Sequence, residues 1–200
     1  IKLHYKIDNI PLKKKDVRKY INNNLFSVMK KLNLGCIDVL YVHQNNLSVI
    51  SNKEIQKTLE NLRVQGIIKN AGVSIYFDEE MNYVLKNDLY KYIQFPINIA
   101  DTYLYNKYKL KLIKKKIVAR SLYLQGTLLN NLDNHPRKNE IIRYKEKLFK
   151  ICNKYNLEYF NLITSFVFSL EYIDYFLIGS IKEENINRTI SVSKNKLDQK

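Results

Sequence analysis

A chain of 200 residues, 46% apolar and 26% charged, is long enough to bury one sizeable core and too apolar to be a disordered segment. Its 34 lysines and arginines against 19 acids give a net charge of +15, which favours anionic partners, but Lys13-Lys14-Lys15 and Lys114-Lys115-Lys116 fall at element boundaries and no nucleic-acid-binding motif accompanies them. They read as solvated surface. No stretch reaches the ~18 consecutive apolar residues of a membrane span, and Cys36 and Cys152 lie far apart without metal-ligand neighbours, as free thiols of a reducing, cytoplasmic setting do.

Ile1 to His4 reads as a strand already under way, with no secretory signal before it, so the chain is expected to be a fragment. A loop through Pro11 leads to a helix from about Asp16 to Leu32, in which Val17, Ile21, Leu25, Val28 and Leu32 recur at three-or-four spacing. Asn33-Leu34-Gly35 breaks it. Cys36 to His43 is then a continuous apolar strand that delivers one histidine at its end, where α/β folds place their chemistry.

Ser51-Asn52-Lys53-Glu54 reads as a capping box, with Ser51 as cap of a helix carrying Ile55, Leu59 and Leu62 and ended by Gln65-Gly66. Ile67 to Ser74 is a second buried strand, and Asp78 caps a short helix to about Lys86. A strand from Tyr92 to Pro96 and a helix from about Thr102 to Lys114 follow, then a strand from Lys116 to Ser121. Beyond His135-Pro136 come a helix from about Asn139 to Tyr155, another marked by Leu162, Phe166 and Leu170, and a strand from Asp174 to Ile178. Gly179-Ser180 opens into a terminal helix from near Glu183, and residues 193–200 form a polar tail. Six strands alternating with helices over residues 1–192 predict one domain with parallel pairing and right-handed crossovers.

The strand ends carry unlike polar residues: His43, Ser74, Gln94, Arg120-Ser121 and Gly179-Ser180. In a barrel those ends converge on one rim. Taken singly, each also has a structural reading, Ser74 and Gln94 as partners of backbone groups and Arg120 as half of an ion pair. His4 and His135 have only the structural one.

Five segments, in order, resemble the aldo-keto reductases. Lys30 to His43 is similar to that family's K-x-L-x-x-x-x-I-D-L-x-x-x-H, and Leu59 to Ser74 to its L-x-x-L-x-x-x-G-K-I-R-x-x-G-V-S. Ile93 to Asn98 stands where the family has Q-x-x-Y-N, and Ala119 to Leu129 resembles a form seen in bacterial members, some found with surface-sugar synthesis. The fifth is Gly179-Ser180-Ile181-Lys182, which resembles the family's adenosine-phosphate loop.

The resemblance implies a (β/α)8 TIM barrel, here lacking its first two βα units. It implies NADPH as cofactor, with NAD as the alternative, and reduction of a small aldehyde or ketone, with no nucleic-acid or membrane partner. The family works with an Asp, Tyr, Lys and His constellation. His43 takes the histidine's role and Lys2 the lysine's. The aspartate and tyrosine lie upstream of that lysine, and none of the 16 tyrosines stands in a matching context, so this chain alone is expected to be inactive. Ser74 and Gln94 are expected on the nicotinamide amide, although Ile75 replaces an asparagine there. Arg120 stands where many members stack an aromatic, or reaches the pyrophosphate or ribose as in some others. Ser121, Leu122 and Gln125 continue a pyrophosphate loop. Gly179, Ser180, Ile181 and Lys182 offer a helix N-terminus and a cation to a phosphate, and Asn185 lies toward the adenine. The alternative reading is a non-catalytic barrel kept as a binding or regulatory module.

Overall fold

The computed structural model, which describes residues 2–43, 46–130, 135–180 and 182–194, has six strands, and the four between the first and the last are mostly buried. The elements in chain order are β1 (His4–Ile7), α1 (Lys14–Lys31), β2 (Ile37–Val42), α2 (Leu47–Ile50), α3 (Lys53–Val64), β3 (Ile68–Ser74) and α4 (Asp78–Leu85). They continue with β4 (Tyr90–Pro96), α5 (Tyr103–Leu112), β5 (Lys116–Arg120), α6 (Lys138–Tyr155), α7 (Tyr159–Phe168), β6 (Tyr175–Phe176) and α8 (Glu183–Lys194). The strand order is β1-β2-β3-β4-β5-β6, each strand beside its predecessor in sequence, and β1–β2, β2–β3 and β3–β4 are parallel. Consecutive parallel strands joined by helices are the repeating unit of a (β/α)8 barrel.

The chain divides into two compact units, one of Ile1–Phe95 and Asn106–Val118, the other of Pro96–Tyr105 and Ala119–Lys200. In the first unit, register decides which residues share a face. Lys6 pairs with Tyr41, Tyr41 with Gly72, and Gly72 with Tyr92, so these four lie on one side of the sheet. Ile7, Val42, Val73 and Ile93 take the other side and are buried. Gly72 is required by close approach: a Cβ there would sit 2.7 Å from the Tyr41 ring. The Tyr41 hydroxyl lies 3.3 Å from His4 Nδ1, and Tyr92 meets the His4 ring edge-on at 5.6 Å. Helix α1 buries Val17, Ile21 and Leu25, and α3 buries Ile55, Leu59 and Leu62. The two helices pack on each other, α1 also against β1 and α3 against β3.

Several local expectations are corrected. The opening strand runs over His4–Ile7 rather than Ile1 to His4, because His4, Tyr5, Lys6 and Ile7 are the residues that pair with β2. Asn52, not Ser51, caps α3: its Oδ1 accepts the amides of Glu54 and Ile55 at 2.9 and 3.1 Å. Ser51 instead ends α2, an unanticipated single turn, and its hydroxyl donates to the Leu47 carbonyl. The start of α4 is held by Glu80, whose carboxylate accepts the amides of Tyr76 and Phe77, while Asp78 pairs with Lys107 at 2.6 Å. Lys115 is not solvated surface. It is buried, with Nζ donating to the Asn87 and Tyr90 carbonyls at 2.7 and 3.1 Å, and burial lowers its pKa.

In the second unit Leu128, Leu148 and Ile163 form a buried cluster, with Ile99, Tyr123, Tyr144 and Tyr159 packed against it. Strand β6 is shorter than the predicted Asp174 to Ile178, and the Leu177 amide bonds the Ala119 carbonyl just beyond it. Helix α7 packs against both α6 and α8. Among the described residues no helix is long and apolar enough to cross a membrane, and no cluster of His, Cys, Asp and Glu could hold a metal ion.

Candidate functional site

The first unit gathers polar groups where β1 to β4 end. His43 is the residue after β2, and its amide bonds the Ile7 carbonyl at 2.9 Å. Ile7 pairs with Val42, so the residues that follow these two, Asp8 and His43, also come side by side. His43 Nδ1 lies 3.1 Å from Asp8 Oδ2. An ionised carboxylate can only accept, so Nδ1 donates and Nε2 is the nitrogen left for another partner. Asp8's carboxyl is held below its ordinary pKa, first by the Asn9 amide on Oδ1 and then by His43. Sequence reading missed Asp8, since only the strand register brings it to His43.

Ser74 and Gln94 pair directly in register at the ends of β3 and β4, and the Ile75 amide bonds the Gln94 carbonyl at 2.8 Å. Both side chains are buried, at 0% and 1% exposure. Ser74 Oγ and Gln94 Oε1 nevertheless have no hydrogen-bond partner among the described residues. Each such group costs about 1–3 kcal/mol when it stays dry and unpaired, so both call for a polar partner, water or ligand. Their placement fits a carboxamide, which both donates and accepts. Ile75, by contrast, is fully buried and offers nothing polar.

Side chains alternate along a strand, so Lys6, Tyr41 and His43, Gly72 and Ser74, and Tyr92 and Gln94 all belong to one face. Lys2 shares that parity but stands at the other end of it. The Leu3 carbonyl accepts the amides of Asp38 and Val39, near the start of β2, and Lys2 is exposed just before it. Lys2 lies four positions before Lys6, roughly 13 Å at ~3.3 Å per residue. The structure therefore brings Lys6, and not Lys2, toward the end of the strand that carries His43.

The second unit holds the remaining predicted residues. Arg120 ends β5 with its side chain buried, its carbonyl accepts the Ile97 amide, and Nη1 donates to Ser121 Oγ at 3.4 Å. Ser121, Leu124, Gln125 and Gly126 all adopt left-handed φ, at 57°, 49°, 55° and 84°. Such conformations cost non-glycine residues energy and persist only where their surroundings impose them. Here Asn98 Nδ2 holds the Ser121 carbonyl, and two successive turn bonds close the loop. Leu122 is buried and Gln125 exposed.

A cavity of about 500 Å³ lies in this unit, with Gly179, Ser180 and Asn185 in its wall. Ser180 Oγ accepts from the Lys182 amide at 3.1 Å and from Asn185 Nδ2 at 3.3 Å, tying the loop to the start of α8. Lys182 is exposed and does not line the cavity, and Ile181 lies outside the described residues. The wall also contains residues that sequence reading missed. Tyr123 stacks on Phe160 at 5.5 Å, and its hydroxyl lies between Thr164 and Thr189 at 3.2 and 3.1 Å. The Arg188 guanidinium sits 4.1 Å from the centre of the Phe160 ring and pairs with Glu158. Tyr159, also in the wall, has its pKa pushed up to about 12 by burial.

No curated protein matches the sequence. Among solved structures the chain is similar to an aldo-keto reductase of Bacillus halodurans in its holo form, at 16% identity and a TM-score of 0.74, covering 97% of this chain and 66% of that one. It is similar to an aldo/keto reductase of Klebsiella pneumoniae in complex with NADP and acetate, at 15% identity and a TM-score of 0.70, covering 100% and 66%. A glycerol dehydrogenase of Gluconobacter oxydans follows at 14% identity and a TM-score of 0.62, covering 92% and 66%. The chain thus spans about two thirds of the length of these proteins, and its six strands are those of a partial (β/α)8 barrel. The aldo/keto reductase family model matches residues 1–200 from end to end, and the chain belongs to that family.

Proposed function

We propose that the protein is an NADPH-dependent oxidoreductase that reduces an aldehyde or ketone to an alcohol, and that this chain supplies its histidine and its cofactor-binding residues. The observation that carries the reading is the pair of buried, unpartnered polar atoms, Ser74 Oγ and Gln94 Oε1, at neighbouring strand ends of an aldo/keto reductase family chain. Gln94 Oε1 accepts from a nicotinamide carboxamide and Ser74 Oγ donates to its carbonyl, which fixes the ring. The reduced nicotinamide, when bound, supplies the hydride.

His43 presents Nε2 to the carbonyl oxygen of the substrate while Asp8 holds Nδ1. For the lysine of the constellation we favour Lys6 over Lys2, because Lys6 lies on the His43 face toward the same strand end. Lys6 holds positive charge there and favours the ionised form of the acid it faces. The aspartate and tyrosine are proposed to come from residues that precede Ile1 in the whole protein, as the first two βα units. Arg120 and the fixed loop at Ser121, Leu122 and Gln125 serve the pyrophosphate. Gly179, Ser180, Ile181, Lys182 and Asn185 serve the adenosine end. The resemblance of Arg120 to Leu129 favours a sugar-derived carbonyl as substrate, and the free thiols of Cys36 and Cys152 favour the cytoplasm as compartment.

The test is a titration of the 200-residue chain with NADPH, followed by nicotinamide fluorescence. Saturable binding weakened at least tenfold in Gln94→Ala is expected, and an absence of saturable binding would overturn the reading. The second reading, a non-catalytic binding module, is favoured by one observation, the fully buried Ile75 where family members place an asparagine. A whole protein that binds NADPH but reduces no carbonyl would establish it.

A further inference from the structure

Among the described residues the cavity of the second unit has one acidic and one basic side chain in its wall, and they are paired with each other. Arg188 lies with its guanidinium against Phe160 and directs its hydrogen-bonding edge at Glu158. Glu158 is the residue that begins α7, yet its side chain makes no capping bond to that helix. Its carboxylate is committed to Arg188.

A guanidinium binds a carboxylate and a phosphate through the same edge, in the same two-pronged way. We infer that Glu158 sets the nucleotide preference of this cavity: by occupying Arg188 it holds back ligands with a phosphate on the adenosine ribose, which must displace it, and leaves ligands without that phosphate unaffected. The inference rests on the reading above, in which the cavity takes the adenosine end of the cofactor. Arg188, rather than the exposed Lys182, is then the cation that meets a ribose phosphate. A phosphomonoester entering the cavity meets both a competitor for Arg188 and a like charge. Replacing Glu158 by its neutral isostere removes both penalties while keeping the side-chain volume.

The experiment measures, by calorimetry, the binding of 2′,5′-ADP and of 5′-AMP to the 200-residue chain and to Glu158→Gln and Arg188→Gln variants. Glu158 and Arg188 are surface residues, 52% and 49% exposed, so both variants are expected to fold. In Glu158→Gln, 2′,5′-ADP should bind about tenfold tighter or more and 5′-AMP within about twofold of the parent, with the gain shrinking as salt rises. In Arg188→Gln, which leaves only the like charge of Glu158, 2′,5′-ADP should bind more weakly than to the parent and 5′-AMP within about twofold of it. If 5′-AMP binds but Glu158→Gln leaves the ratio of the two affinities unchanged, the role of Glu158 is overturned and the nucleotide cavity stands. If both ligands tighten equally, Glu158 acts as a steric block and the inference also fails. If neither ligand binds any of the three proteins, the adenosine reading of the cavity falls and takes this inference with it.

Discussion

Asp8 and His43 face each other across β1 and β2 at 3.1 Å, Oδ2 to Nδ1, each on the first residue past its strand. The contact is half-exposed, so its energy is modest, but it determines which histidine nitrogen is available. His43→Ala should raise the Asp8 pKa and still leave it below the ordinary value, because the Asn9 amide is the larger cause. Carboxyl-carbon NMR across pH 2 to 6 reads this directly. Asp8's folded pKa is depressed, so its contribution to stability is present above the ordinary ~3.9 and is lost as pH falls through the lower folded value. An Asp8 midpoint above that of a model peptide would contradict the assignment.

Gly72→Ala puts a methyl group 2.7 Å from the Tyr41 ring. Overpacking of this kind costs typically ~1–3 kcal/mol, read as a lower urea midpoint. Tyr41→Phe keeps the ring and should not rescue the variant, whereas Tyr41→Leu should recover part of the loss. Rescue by Phe would mean that the hydroxyl, not the ring, is the obstacle.

Lys115→Met should destabilise by about 1–3 kcal/mol, since two carbonyls lose their donor in a buried setting. Burial lowers the Lys115 pKa, so between its folded value and the unfolded ~10.4 the unfolded chain holds the extra proton. Stability attributable to Lys115 therefore rises with pH through that window. Thermal unfolding of parent and Lys115→Met between pH 7 and 10 should show a difference that widens with pH, and a narrowing one would refute the sign.

The 200-residue chain is expected to show no carbonyl-dependent oxidation of NADPH with small aldehydes, because its proposed proton donor is contributed from elsewhere in the protein. Measurable turnover that disappears in His43→Ala would place the acid within these residues and reverse that assignment.

The strands easiest to read were β2 and β3. β2 is buried apart from Asp38, and β3 is buried from Ala71 to Ser74 after the exposed Lys69 and half-buried Asn70, so their apolar stretches stand out without any knowledge of their neighbours. β1 has His4 and Lys6 on its face, and its boundaries emerge only from pairing with β2. The resemblance points to Lys2 through its spacing from the long helix, whereas the paired strand lies three residues later and carries Lys6 toward the His43 end. Caps slipped by one residue for a similar reason: Ser51 and Asn52 are both good cap residues, and the single turn α2, which claims Ser51, leaves no periodic signal. Ser74 and Gln94 were legible as strand-end residues, but their lack of partners is a property of the folded neighbourhood. Glu158 and Arg188 lie thirty positions apart, on two helices whose packing no local pattern announces.

The tyrosine lying over Gly72 has one more effect. Tyr41 and Tyr92 sit one same-face position behind His43 and Gln94, and Gly72, the residue between their rings in register, has no side chain of its own. The two rings therefore back the strand-end residues with aromatic carbon, so that Tyr41→Leu should open apolar space beneath His43 and Gln94 without altering either side chain.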